Sequence, residues 1–132
     1  MCIRDRSHND GTGSADYTVV GNSFSNPDAS VNVFEGVYVL AGGAAGDTSN
    51  VCVDIENNAG LQNTGMQGVS DIAMDRFGTA SLRFADVNAT TVAAVAVSLN
   101  TKNPASTGLT VETFSGGPTA TPDTACTLAH IP

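Results

Sequence analysis

The chain has 132 residues and a mass of 13.3 kDa, the length of one domain or of a piece of a longer protein. Five Lys and Arg against thirteen Asp and Glu leave a net charge of −8, which excludes the basic face that nucleic acids demand and a polybasic membrane anchor. No apolar run approaches the ~20 residues of a bilayer-spanning helix.

The first six residues, Met-Cys-Ile-Arg-Asp-Arg, stand apart from the rest: they hold two of the five basic residues and one of the three cysteines. They read like the translated adapter scar that opens many reading frames of environmental shotgun assemblies, which would make the chain a metagenomic fragment. Residues 7–14 are expected to be a disordered lead-in. From residue 15 onward, short β-rich runs alternate with Gly, Asn, Pro and Asp, the punctuation of many short strands. The runs are 17–20, 33–40, 51–56, 69–74, 80–84 and 109–114. A Gly-, Pro- and Thr-rich tail, 116–132, follows.

Period 2 sorts the side chains of each run onto two faces. Val51, Val53 and Ile55 share an inward face, leaving Cys52, Asp54 and Glu56 outward. Leu82 and Phe84 oppose Ser81 and Arg83; Leu109, Val111 and Thr113 oppose Thr110 and Glu112. One segment departs from this period. Val92, Val95, Ala96 and Leu99 recur at i, i+3, i+4 and i+7, which predicts a helix over about 89–101, with Asp86 or Asn88 as N-cap and Pro104 as the stop. Its β-branched residues keep a strand over 92–99 as the rival reading. An Asn also recurs shortly after strand ends, at Asn22, Asn57 and Asn100. In a stacked architecture such residues tolerate left-handed backbone and hydrogen-bond along the stack; in a β-sandwich they simply end strands.

The stretch Asp47-Thr-Ser-Asn-Val-Cys52-Val-Asp-Ile-Glu-Asn-Asn58, followed by 69–74, 80–84, 92–103 and Ala125-Cys126, resembles a recurring segment of large secreted bacterial proteins with a right-handed parallel β-helix, the pectate-lyase-like solenoids. Asp16-Tyr-Thr-Val-Val-Gly-Asn22-Ser-Phe24 looks like a preceding coil. The resemblance covers about 15–128. It implies an all-β solenoid fragment, coils over 15–115 with one short α-helix, and a tail, 116–132, that caps the C-terminal end. It further implies a secreted or cell-surface, outer membrane-associated bacterial protein, and partners in upstream coils of the same chain and in a surface glycan or protein. Coils of this size cannot bury their apolar face alone, and an open end invites another strand.

In such a secreted setting, with Cys2 set aside, Cys52 and Cys126 form a candidate disulfide, two free thiols being the alternative. No Cys-x-x-Cys pair exists for zinc. Asp54 and Glu56 alternate on one outward face and Asp71 and Asp75 on another; stacked, these carboxylates offer the oxygen ligands that suit calcium. The reading preferred here is a solvated acidic face, with calcium as the alternative, and no cofactor is expected. For catalysis the chain offers only His8 and His130, neither within a strand or motif. The Gly-rich stretches 42–46 and 65–68 lack the lysine of a phosphate loop. Arg83 reads as a surface partner for a carboxylate. The expected function is therefore non-enzymatic, a structural or adhesive segment. The alternative is the terminal part of a carbohydrate-active β-helix, a polysaccharide lyase or hydrolase, whose catalytic coils lie upstream.

Overall fold

The structure, a computed structural model, describes residues 5–9, 11–24, 36–63, 70–113, 115–118 and 126. Among these residues seven strands and one α-helix follow in chain order: β1 (Asp5–Asn9), β2 (Ser14–Val20), β3 (Val37–Ala41), β4 (Asn50–Glu56), β5 (Ile72–Arg76), β6 (Ser81–Phe84), α1 (Val92–Lys102) and β7 (Val111–Glu112). The strands alternate between two sheets. β1, β3, β5 and β7 form one; β2, β4 and β6 form the other. Each strand bonds in parallel to the strand two further along. The described residues are thus all-β apart from α1 and one 3₁₀ turn at Leu61–Asn63.

The core lies between the sheets and follows the period-2 reading. Val51, Val53, Ile55, Leu82 and Phe84 from one sheet meet Val37, Val39, Ala41, Ile72 and Met74 from the other. Residues 5–9, expected to fall in a scar and a disordered lead-in, form a strand paired with β3. That pairing uses backbone groups alone, which any sequence offers to an open sheet edge. Residues 33–35 of the expected run 33–40, the Gly-rich stretch 65–68, Val69 and Phe114 at the ends of two further runs, and most of the tail lie outside the described residues.

The segments that lead from the β2 sheet back to the β1 sheet carry an internal ladder of amides. Asn58 Oδ1 accepts from the backbone N and the Nδ2 of Asn22, at 3.0 and 3.3 Å. Asn103 Oδ1 accepts in the same way from Asn58, both at 3.0 Å. Asn58 and Asn103 are fully buried, and their Nδ2 groups also donate to the carbonyls of Val19 (2.7 Å) and Ile55 (2.9 Å). The recurrence expected at Asn22, Asn57 and Asn100 is therefore shifted to Asn22, Asn58 and Asn103. Asn57 instead takes the left-handed conformation at φ 55 and points to solvent, while Asn100 fastens the Gly108–Leu109 turn through its Oδ1. Gly60, at φ 74, lies so close to the preceding segment that a Cβ there would run into the Phe24 carbonyl oxygen.

The third of these connections is longer because α1 is inserted in it. β6 pairs only with Asn50–Val53 of β4, so Asp54, Ile55 and Glu56 have no strand beside them on that side. α1 covers this half. Val95 and Leu99 enter the core, Asn103 closes on the Ile55 carbonyl, and Lys102 O accepts from Asn57 N at 2.9 Å. Helix therefore prevails over the rival strand, despite the β-branched residues, because burial of one face outweighs propensity. The N-cap is Thr91, whose hydroxyl accepts from Ala94 N, not Asp86 or Asn88; Asp86 stands at φ 56 in the turn after β6. The stop before Pro104 is as expected. Among the described residues no helix is long and apolar enough to cross a membrane.

Candidate functional site

The carboxylates expected on solvated outward faces are buried: Asp54 is 6 %, Asp71 5 % and Asp75 3 % exposed. Lys102 at the end of α1 closes on Asp54, and residues of and beside the neighbouring strands β3 and β7 close on Asp71 and Asp75. Lys102 Nζ sits 2.8 Å from Asp54 Oδ1, 3.6 Å from Glu56 and 3.7 Å from the exposed Asp86, and donates to the Ala85 carbonyl at 3.0 Å. Burial lowers the Lys102 pKa, but the hydrogen bond to Asp54 and the charges of Asp54, Glu56 and Asp86 outweigh it and hold the pKa above its ordinary value. Asp71 Oδ2 accepts from both N and Oγ1 of Thr110, each at 2.9 Å. Asp75 accepts from Tyr38 Oη (2.9 Å), Ser115 N (2.7 Å) and Thr113 Oγ1 (3.2 Å).

The calcium candidates therefore do not gather. Asp54 and Glu56 lie on β4, in one sheet, whereas Asp75 lies on β5 and Asp71 just before it, in the other. Asp54 answers to an ammonium group and Asp71 and Asp75 to hydroxyl and backbone donors. No cluster of three metal-ligating side chains exists among the described residues. Asp54 thus ties β4 to α1, and Asp71 and Asp75 tie β5 to its sheet neighbours.

Cys52 and Cys126, 74 positions apart in sequence, are joined as a disulfide with Cα atoms 5.6 Å apart. With Ala85 they form a small apolar cluster on the outer face of β4. The bond holds one point of the tail, Cys126, against this sheet.

Beside the disulfide lies a shallow groove of ≈ 310 Å³, lined by Ser14, Asp16, Asn50, Val51, Cys52 and Arg83. Strand register builds it. Ser14, Asn50 and Ser81 form one row across β2, β4 and β6, and Asp16, Cys52 and Arg83 form the next outward row. Ser81 Oγ bonds Asn50 Oδ1, fixing the first row. Arg83, expected to pair with a surface carboxylate, has no ion pair among the described residues. Its Nε is buried without a hydrogen-bond partner. Asp16, on the far wall, is exposed. Outward orientation of Arg83 was readable from the alternation in β6; its position opposite Asp16, 67 positions earlier in sequence, was not. The other buried side-chain polar atoms without partners among the described residues, Ser49 Oγ and Gln62 Oε1, do not belong to the residues that line the groove.

No family model, curated protein or solved structure matches this chain.

Proposed function

We propose that the chain is a non-catalytic structural or adhesive segment of a secreted or cell-surface bacterial protein, its strands forming successive coils of a right-handed parallel β-helix. The observation that carries this reading is the asparagine ladder. Asn22, Asn58 and Asn103 occupy equivalent places in three successive connections, and each Oδ1 that accepts within the ladder takes the same two donors, as expected of a stack that adds one coil at a time. The ladder also has a direction. Its last member is sealed by α1, while β1 and β2 keep an unpaired edge among the described residues. Upstream coils of the same chain are the partner that fits such an edge, since they would satisfy its backbone groups. A disulfide across the outer face suits an oxidising compartment.

Exporting the protein to such a compartment and assaying what is recovered tests the reading. The expected product is folded and protease-resistant, carries the Cys52–Cys126 bond, and leaves polyuronates uncleaved. Release of unsaturated sugars would instead favour the carbohydrate-active alternative, and a product recovered reduced and protease-sensitive would remove the surface setting.

A further inference from the structure

The groove beside the disulfide holds two opposite charges that do not meet. Arg83 and Asp16 are both register partners of Cys52, so they stand two strand spacings apart, about 9.6 Å at Cα. Both project from the same outward face, because period 2 places Asp16, Cys52 and Arg83 on one side of the sheet. Of the Arg83 guanidinium only Nε is among the buried atoms without a partner, and Arg83 lines the groove. Burying part of a guanidinium without an acceptor is unfavourable, and an anion on its terminal nitrogens offsets that cost. Asp16 lacks a cation within ion-pair distance among the described residues, and its carboxylate only accepts hydrogen bonds.

The geometry points to a binding site for a small zwitterion, a carboxylate on the Arg83 terminal nitrogens and an ammonium group on Asp16, spanning the row between β2 and β6. Ser14 and Asn50 offer polar contacts along the adjoining row, and the disulfide forms part of the wall. The span suits a molecule whose charges are separated by several bonds, such as an ω-amino acid or the charged ends of a short peptide. It is too wide for glycine, in which a single carbon separates the two groups. Among the described residues no aromatic side chain lines the groove, so recognition is by charge rather than by stacking. The site needs only the fold described above, so its failure would leave the structural reading intact.

The test is an NMR titration of the oxidised full chain with 6-aminohexanoate, with hexanoate and hexylamine as single-charge controls. Shifts are expected at the Ser14, Asn50 and Arg83 amides and at Arg83 Nε. 6-Aminohexanoate is expected to bind about threefold more tightly than hexanoate, the increment of an exposed ion pair. Arg83→Gln should weaken it by tenfold or more, as for a lost hydrogen bond to a charged group. Asp16→Asn should bring it level with hexanoate. Because Asp16 is exposed, that variant tests the site even if Arg83→Gln unfolds. Equal binding of hexanoate and 6-aminohexanoate in the wild type, indifference to Asp16→Asn, or no shift at these residues would each overturn the assignment.

Discussion

Replacing Asn58 by Ala removes the middle of the ladder and leaves the rest in place. The Val19 carbonyl loses its 2.7 Å donor, and Asn22 loses the acceptor for its backbone N. Asn103 Oδ1 keeps one of its two donors, the backbone N of residue 58, and Asn22 Nδ2 keeps the Val20 carbonyl at 3.3 Å. One backbone donor, Asn22 N, is thus orphaned, while the Val19 carbonyl keeps the Glu56 N–H that the parallel β2–β4 register gives it. A buried orphan costs about 1–3 kcal/mol, and Asn22 is only half-buried, so water relieves part of its loss. With the lost side-chain bonds of residue 58 added, the expected destabilisation is about 1–3 kcal/mol, a sizeable share of the 5–15 kcal/mol typical of a domain. Urea unfolding should show it as a lower midpoint at unchanged slope. Asn58→Asp should be worse, since a carboxylate can donate neither to Val19 nor to Asn103. Asn57→Gly is the matched control: its side chain is exposed and its φ suits glycine, so the expected change is within about 0.5 kcal/mol. A change of under 0.5 kcal/mol for Asn58→Ala, or equal losses at 57 and 58, would refute the ladder.

Other variants probe the disulfide, the Lys102 ion pair and the turns. Under denaturing, non-reducing conditions at most one thiol, that of Cys2, should react; removing the Cys52–Cys126 bond should cost about 4 kcal/mol in the chain-entropy description of a loop this long. Lys102→Met strands the buried Asp54 carboxylate and should cost about 2–4 kcal/mol, somewhat less than a fully buried pair because both groups keep some exposure. Since the Lys102 pKa is raised on folding, its contribution is complete below the unfolded value of about 10.4 and disappears as pH rises through the folded value. Alkaline melting curves should therefore lose this component in the wild type and not in Lys102→Met. Gly60→Ala combines a left-handed φ with a collision against the Phe24 carbonyl and should cost about 2–5 kcal/mol by the same urea assay.

The inward faces were legible because a single strand carries the signal: Val51, Val53 and Ile55 alternate within five residues, and Val95 and Leu99 mark a helical stripe within one turn. The outward faces were not, because their cover comes from far along the chain. Asp54 finds Lys102 48 positions away, and Asp71 finds Thr110 39 positions away, distances over which a charged residue on an alternating strand looks the same whether solvated or buried. The ladder position was ambiguous for a different reason. Asn57 and Asn58 are adjacent and chemically identical, and only backbone geometry decides which turns outward at positive φ and which enters the stack. Thr91 as N-cap competes with Asp86 and Asn88 on equal chemical terms, and where the first helical turn begins is settled by the depth at which Val95 meets the core. The groove arises wholly from register, which joins Asp16 to Cys52 and Cys52 to Arg83 without any local sequence mark.

The most direct test of the architecture is the set of interstrand nuclear Overhauser contacts in the oxidised protein. The parallel arrangement predicts contacts between β2 and β4 in the order Ser14 with Asn50 through Val20 with Glu56, and between β3 and β5 from Val37 with Ile72 to Ala41 with Arg76. Antiparallel contacts between consecutive strands, such as β5 with β6 across the Arg76-Phe77-Gly78 turn, would contradict it and point to the hairpins of a sandwich.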